Sequence, residues 1–137
     1  MNAPPEHVLV CFALPGEARP FRRRAGARSH VRVRVTGMGR DHARRVLREA
    51  LAAERPAAVL TCGLAGGLNP ALARGAVLFS AAPDSPWRAR LLAAGARPAV
   101  FHCADRIVVT AAEKRRLREA TGADAVEMES AAIAVVC

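Results

Sequence analysis

With 137 residues the chain is sized for one domain, and at 52% hydrophobic residues it can bury a core, although 4% aromatics means that core must come from Ala, Val and Leu. The net charge of +9 invites a polyanionic partner, but Lys114 is the single lysine among 21 basic residues and the arginines are scattered, with tight clusters only at Arg22-Arg23-Arg24, Arg44-Arg45 and Arg115-Arg116. No aromatics are interleaved with them for base stacking, so nucleic-acid binding is discounted. No apolar run reaches the roughly 18 residues of a membrane span, and the opening residues lack a secretory signal. Cys11, Cys62, Cys103 and Cys137 form no C-x-x-C pair and no cluster with histidine, so the expectation is a cytoplasmic protein with reduced, buried thiols and no metal.

In chain order, His7 to Ala13 is a continuous apolar run that suits a strand covered on both faces. Pro15-Gly16 is expected to break it, with a short helix from Glu17 to Arg24. Val31 to Thr36 alternates Val with Arg, the pattern of an edge or half-exposed strand. Gly37-Met38-Gly39 is read as a turn and Asp41 as a helix cap. Ala43, Val46, Leu47, Ala50 and Leu51 then share one face of an amphipathic helix that stops before Pro56. Ala57 to Cys62 is a second buried strand, followed by a small-residue loop from Gly63 to Gly67. Ala76 to Ser80 is a strand, and Ser85-Pro86 opens a helix that runs through Leu91 and Leu92 and ends near Gly95. Ala99 to Cys103 and Ile107 to Val109 are short strands. Thr110 to Glu113 fits a capping box for a helix that reaches about Thr121 and closes at Gly122. Ala125 to Glu127 is a strand, and a helix starts at Ser130. This alternation predicts an α/β fold with a largely parallel sheet, in a single domain spanning residues 1–137.

Three places carry chemistry. The Gly63 to Gly67 loop follows a strand, where backbone amides can meet a ligand, although it lacks dinucleotide and Walker fingerprints and also fits a plain tight turn. Glu127-Met128-Glu129 sets acids where a short strand meets a helix, so Glu129 either binds a ligand or caps that helix. Glu17 lies beside the end of the first strand, and the ends of strands in open α/β sheets are where ligands bind; a surface carboxylate is the alternative. Asp105 fits an ordering role in its turn better than a catalytic one. The last helix, Ala131 to Val136, is apolar all round, which predicts that later residues cover it, that the chain is truncated at its C-terminus, and that Ile133, Val135 and Val136 leave it marginally stable.

Several segments together carry a resemblance. Phe12-Ala13-Leu14-Pro15-Gly16-Glu17-Ala18, Val35-Thr36-Gly37-Met38-Gly39-Arg40, Thr61 to Leu68 with Gly75-Ala76-Val77, Asp105 with Thr110 to Lys114, and Ala123 to Ala132 resemble, in the right order, landmarks of the nucleoside phosphorylase/nucleosidase superfamily. The similarity is nearest to its methylthioadenosine/S-adenosylhomocysteine nucleosidase-like branch. It implies an α/β three-layer sandwich with a central mixed, largely parallel sheet flanked by helices, incomplete at the C-terminus.

The resemblance also implies cleavage of the N-glycosidic bond of a purine nucleoside by water or phosphate. Glu17 would orient and deprotonate the water, Glu129 would grip the ribose hydroxyls, Met128 would pack on the sugar, and Gly66 and Gly67 would let the backbone approach the substrate. Arg40 would contact phosphate, which is a co-substrate only in phosphorolysis; no other cofactor is implied. The expected partners are a small-molecule nucleoside and further copies of the same chain. Leu64 stands where relatives often carry Ser, and Ile107 stands at an aromatic base-stacking position. The family's general acid, an Asp on a strand after the Glu129 helix, falls past Cys137, which predicts impaired turnover. A non-catalytic nucleoside-binding domain is the alternative, and a basic nucleic-acid-associated protein a more distant one.

Overall fold

The computed structural model describes residues 7–137. They form two compact units, one of residues 7–64 with 128–137 and one of residues 65–127.

The first unit is built around β1 (Val8–Phe12), the centre of a parallel sheet ordered β2-β1-β3, with β2 at Val31–Val35 and β3 at Ala58–Cys62. A central strand loses water on both faces, which is why β1 is apolar throughout. Leu9 and Cys11 pack with Ala43, Leu47 and Ala50 of α2 (Arg40–Ala53) and with Ala132 and Ile133 of α5 (Ser130–Val136). Val10 and Phe12 pack on the other face with Ala18 and Phe21 of α1 (Pro15–Ala25). Helix, parallel sheet and helix thus make three layers within this unit.

Strand β2 lies at the sheet edge, as its alternation predicts. Its valines join the core on the α1 side, while Arg32 and Arg34 reach the carboxylate of Glu54 at 2.5 and 3.1 Å. His7 Nε2 lies 3.1 Å from the same carboxylate. Burial pushes the Glu54 carboxyl up, but the hydrogen bonds and charges of the two arginines outweigh it and hold the group below its usual range.

Four expectations in this unit need correction. Pro15-Gly16 does end the apolar run, since β1 stops at Phe12, but α1 opens at Pro15 rather than at Glu17, because proline at the first helical position has its fixed φ preset and no amide bond to lose. Asp41 lies inside the first turn of α2; the cap is Gly39, whose φ of 93° is a conformation that favours glycine. The thiols are not all buried: Cys11 is, whereas Cys62 at the end of β3 and Cys137 are exposed, as is half of Cys103 in the second unit. Helix α5 is not bare either, since Ile133 is buried and Val136 packs on the α2 cluster, leaving Val135 as its exposed large side chain.

The second unit uses shorter strands. β4 (Gly66–Gly67) pairs antiparallel with β8 (Ala125–Glu127), and β7 (Phe101–Cys103) pairs parallel with β8. β5 (Leu78–Phe79) pairs parallel with β6 (Arg97–Pro98). Helix α3 (Pro86–Ala93) starts at Ser85, whose hydroxyl accepts from the Trp87 amide, and α4 (Ala111–Thr121) starts at Thr110 and closes on Gly122 at φ 69°, both as the sequence predicts. Three readings change. Part of the Gly63 to Gly67 loop is a strand, Arg97–Pro98 is an unforeseen one, and Ile107 to Val109 is not a strand. The Val109 and Thr110 amides both donate to the Glu113 carboxylate, so that stretch serves the α4 cap. The fold is α/β with mixed but largely parallel pairing.

Candidate active site

Three loops leave the C-terminal ends of the strands of the first unit, the edge where ligands bind in open α/β sheets. After β1 the chain turns directly into α1 and places Glu17 on its first turn. The Glu17 carboxylate accepts hydrogen bonds from the Leu14 amide at 3.1 Å and from the Leu64 amide, after β3, at 3.0 Å. The first closes half of a capping box; the second fixes the carboxylate against a loop 47 residues away. Gly63 makes this possible. A Cβ there would lie 3.2 Å from both Glu17 oxygens, and its φ of 157° is one that L side chains rarely adopt.

After β2, Thr36 is buried, its amide and hydroxyl both directed at the Phe12 carbonyl. Met38 is exposed, and Gly39 donates its amide to Glu129 Oε1 at 2.8 Å. Glu129 therefore does not cap its own helix with its side chain; it reaches the N-terminus of α2, where the helix dipole and an unpaired first-turn amide favour a carboxylate. Arg40 is the first residue of the same helix, half-buried, with its Nε out of solvent. Met128 is half-buried between β8 and α5.

In the second unit the two glycines have different environments. A Cβ on Gly66 would come within 2.9 Å of Val126 Cγ1, so packing against β8 already demands glycine there. A Cβ on Gly67 would meet nothing within 4 Å, which leaves its backbone open to a ligand. Asp105 and Ile107 are exposed. Among the described residues no group of three His, Cys, Asp or Glu side chains is placed to hold a metal ion, and no helix is long and apolar enough to cross a membrane.

The first unit also carries an open groove of about 950 Å³ between α1 and the sheet, with Glu17, Gly63 and Leu64 at one end. Sequence reasoning did not foresee it, because Phe12, Phe21 and Leu64 come from three separate segments.

A family model described as the phosphorylase superfamily matches residues 77–137. Solved structures match over far more of the chain. Futalosine hydrolase of Helicobacter pylori strain 26695, in a mutant form, aligns at a TM-score of 0.77 with 18% identity, covering 96% of this chain and 83% of that one. The resemblance to the phosphorylase superfamily stands. Two 5'-methylthioadenosine/S-adenosylhomocysteine nucleosidases with the same type of fold align equally well. That of H. pylori, solved with butyl-thio-DADMe-Immucillin-A, gives a TM-score of 0.80 at 18% identity, covering 96% of this chain and 78% of that one. That of Campylobacter jejuni gives 0.80 at 18% identity, covering 96% and 79%. At that identity the likeness establishes that the chain shares the fold of these hydrolases. No curated protein sequence matches the chain at a significant level.

Proposed function

We propose that this chain cleaves the N-glycosidic bond of a nucleoside, with Glu17 orienting and deprotonating an attacking water and Glu129 gripping the ribose hydroxyls. The fixing of Glu17 at the strand ends carries this reading. Each of its oxygens accepts one backbone amide, from Leu14 or Leu64, and each keeps acceptor capacity for a water. A carboxylate held in place this way does not need to reorganise as charge develops. Positive charge grows on the sugar as the bond breaks, as in glycoside hydrolysis, so a fixed anion nearby lowers the barrier.

Glu129 is held at the N-terminus of α2 by the Gly39 amide, and a carboxylate so placed would accept from the ribose hydroxyls. Met128 precedes it and would pack on the sugar; Gly67, open on its Cβ side, keeps the role of a backbone that a substrate can approach, and Gly66 adjoins it. Water is favoured over phosphate because a phosphate at Glu17 would meet like charge. Arg40 would contact phosphate if the reaction were phosphorolysis, with phosphate then a co-substrate. The reading takes residues 1–137 to act as one domain in the cytoplasm. The named similar structures, a futalosine hydrolase and nucleosidases for methylthioadenosine and S-adenosylhomocysteine, support hydrolysis as the reaction type.

The test is base release from methylthioadenosine, adenosylhomocysteine and inosine, with and without phosphate. Glu17→Ala should lower turnover by about 10²–10⁴ while nucleoside affinity changes only a few-fold. Unchanged turnover removes Glu17 from the chemistry, and strict dependence on phosphate replaces hydrolysis by phosphorolysis. Binding without any turnover makes the chain a nucleoside-binding module instead.

A further inference from the structure

The positive charge of the chain is not spread evenly. From residue 18 to residue 40 it holds eight arginines and no aspartate or glutamate. Three of the eight are taken up by the fold: Glu54 binds Arg32 and Arg34, and Arg40 is half-buried at the start of α2. The other five, Arg19, Arg22, Arg23, Arg24 and Arg28, are exposed, and their side chains make no ion pair among the described residues. The helix dipole accounts for Arg22, Arg23 and Arg24 in the last turn of α1, but not for Arg19 in its first half or for Arg28 beyond its end. Arg19 and Arg23 are one turn apart and share a face. Glu17, the one carboxylate of α1, is already bonded to the Leu14 and Leu64 amides.

The same patch holds apolar side chains in water. Leu14 is 45% exposed and Leu64 84%, the highest value among the exposed large hydrophobic residues. Both share one surface with Arg24 and Arg28. Unpaired guanidinium groups beside exposed leucines fit one kind of partner best. A nucleic acid offers phosphates but sets the leucines against polar groups, and no exposed aromatic ring stands among these arginines to stack on a base. An acidic peptide matches the charge alone. An anionic bilayer offers phosphodiester groups that suit the guanidinium fork, with acyl chains just beneath them for the leucines. We infer that α1 and the loop at Leu64 form a peripheral docking face for an anionic lipid bilayer. Its arginines supply the attraction, and Leu14 and Leu64 enter the headgroup boundary.

Flotation of the full chain with sized vesicles tests this, using phosphatidylcholine alone and phosphatidylcholine mixed with an equal part of phosphatidylglycerol. The protein should float with the mixed vesicles, remain behind with the neutral ones, and bind less as salt is raised. Arg23→Gln/Arg24→Gln should weaken binding at least about tenfold, at roughly fivefold for each arginine near the surface. Arg48→Gln/Arg55→Gln removes the same net charge from exposed positions elsewhere in the unit and should change it less than about threefold. Arg23→Lys/Arg24→Lys should keep most of the affinity. Leu64→Ser should weaken binding several-fold, and that loss should persist at raised salt. Equal flotation with neutral vesicles overturns the inference, as does an equal loss in the two glutamine pairs, which would reduce the effect to net charge. Unchanged binding of Leu64→Ser overturns the choice of a bilayer, since arginines alone do not select lipid over other polyanions. Tighter binding to a single-stranded oligonucleotide or to polyglutamate than to the mixed vesicles, at the same salt, overturns it as well.

Discussion

Leu9 and Leu47 lie completely out of water in the first unit, at the contact of β1 with α2, and Ile133 of α5 closes over them. The buried cluster of the second unit is Leu68, Ala104, Ala123 and Val126, half of it alanine, and around that unit Val77, Val100, Ile107 and Val109 are exposed. What the second unit lacks in apolar burial it supplies with fixed carboxylates. Asp124 accepts from Asn69 Nδ2 at 2.9 Å, the Val100 amide at 3.0 Å and Arg118 Nη1 at 3.1 Å, which joins three segments through one side chain. Those bonds, led by the Val100 amide, hold the Asp124 carboxyl below its usual range. Glu113 does the same for the start of α4. Five-residue strands with covered faces can rely on a core, whereas strands of two or three residues cannot, and their loops need polar anchors.

The sharpest way to break this contrast is a matched pair of truncations. Leu9→Ala should cost about 2–5 kcal/mol in denaturant melts, as for a large side chain with no room to relax. Leu117→Ala, on the partly buried face of α4, should cost less than half as much. Equal losses would mean that the two units depend on their apolar clusters alike.

Next comes Asp124→Ala, which leaves the Val100 amide and the Arg118 guanidinium without their acceptor. It should cost about 1–3 kcal/mol and speed hydrogen exchange at the Val100 amide. Asp41→Ala, an exposed carboxylate in the first turn of α2, should stay within about 0.5 kcal/mol. If both substitutions have the same small effect, the polar anchor of the second unit is not one.

The smallest expected effect depends on pH. The Thr110 amide first, then the Arg106 guanidinium and the Thr110 hydroxyl, lower the Glu113 carboxyl from 4.5 to about 2. Its folded value lies below its unfolded one, so its contribution is complete above about pH 4.5 and fades as the pH falls towards about 2. The order of the first turn of α4, read from amide shifts at Thr110 and Glu113, should decline across that window. Glu113→Gln should flatten the decline; an unchanged profile would assign it to other carboxylates.

The sequence made local features readable and left distant ones hidden. The Thr110 box, the Ser85-Pro86 start and the Gly122 close are written in three or four neighbouring residues, and the structure has all three. The central position of β1 was readable too, because burial on both faces leaves no polar position in the run. The start of α1 was placed two residues late, at Glu17, since Pro15 both follows the end of one element and opens the next. Gly66–Gly67 became a strand only through its pairing with Val126 and Ala125, which no local pattern encodes. The same division runs through the candidate site. Glu17 and Glu129 stand out by their places at strand ends, but their partners, Leu64 and Gly39, lie 47 and 90 residues away.

The first unit is assembled from two stretches of chain that are separated by the whole of the second. During synthesis at about 5–20 residues per second, residues 7–64 would be made roughly 3–13 seconds before residues 128–137. Throughout that interval Ala43, Leu47 and Ala50 of α2 lack the cover that Ala132 and Ile133 later supply, and Gly39 lacks Glu129. The nascent chain therefore spends seconds with a sticky helix face, a window for chaperone capture that closes only as residues 128–137 dock.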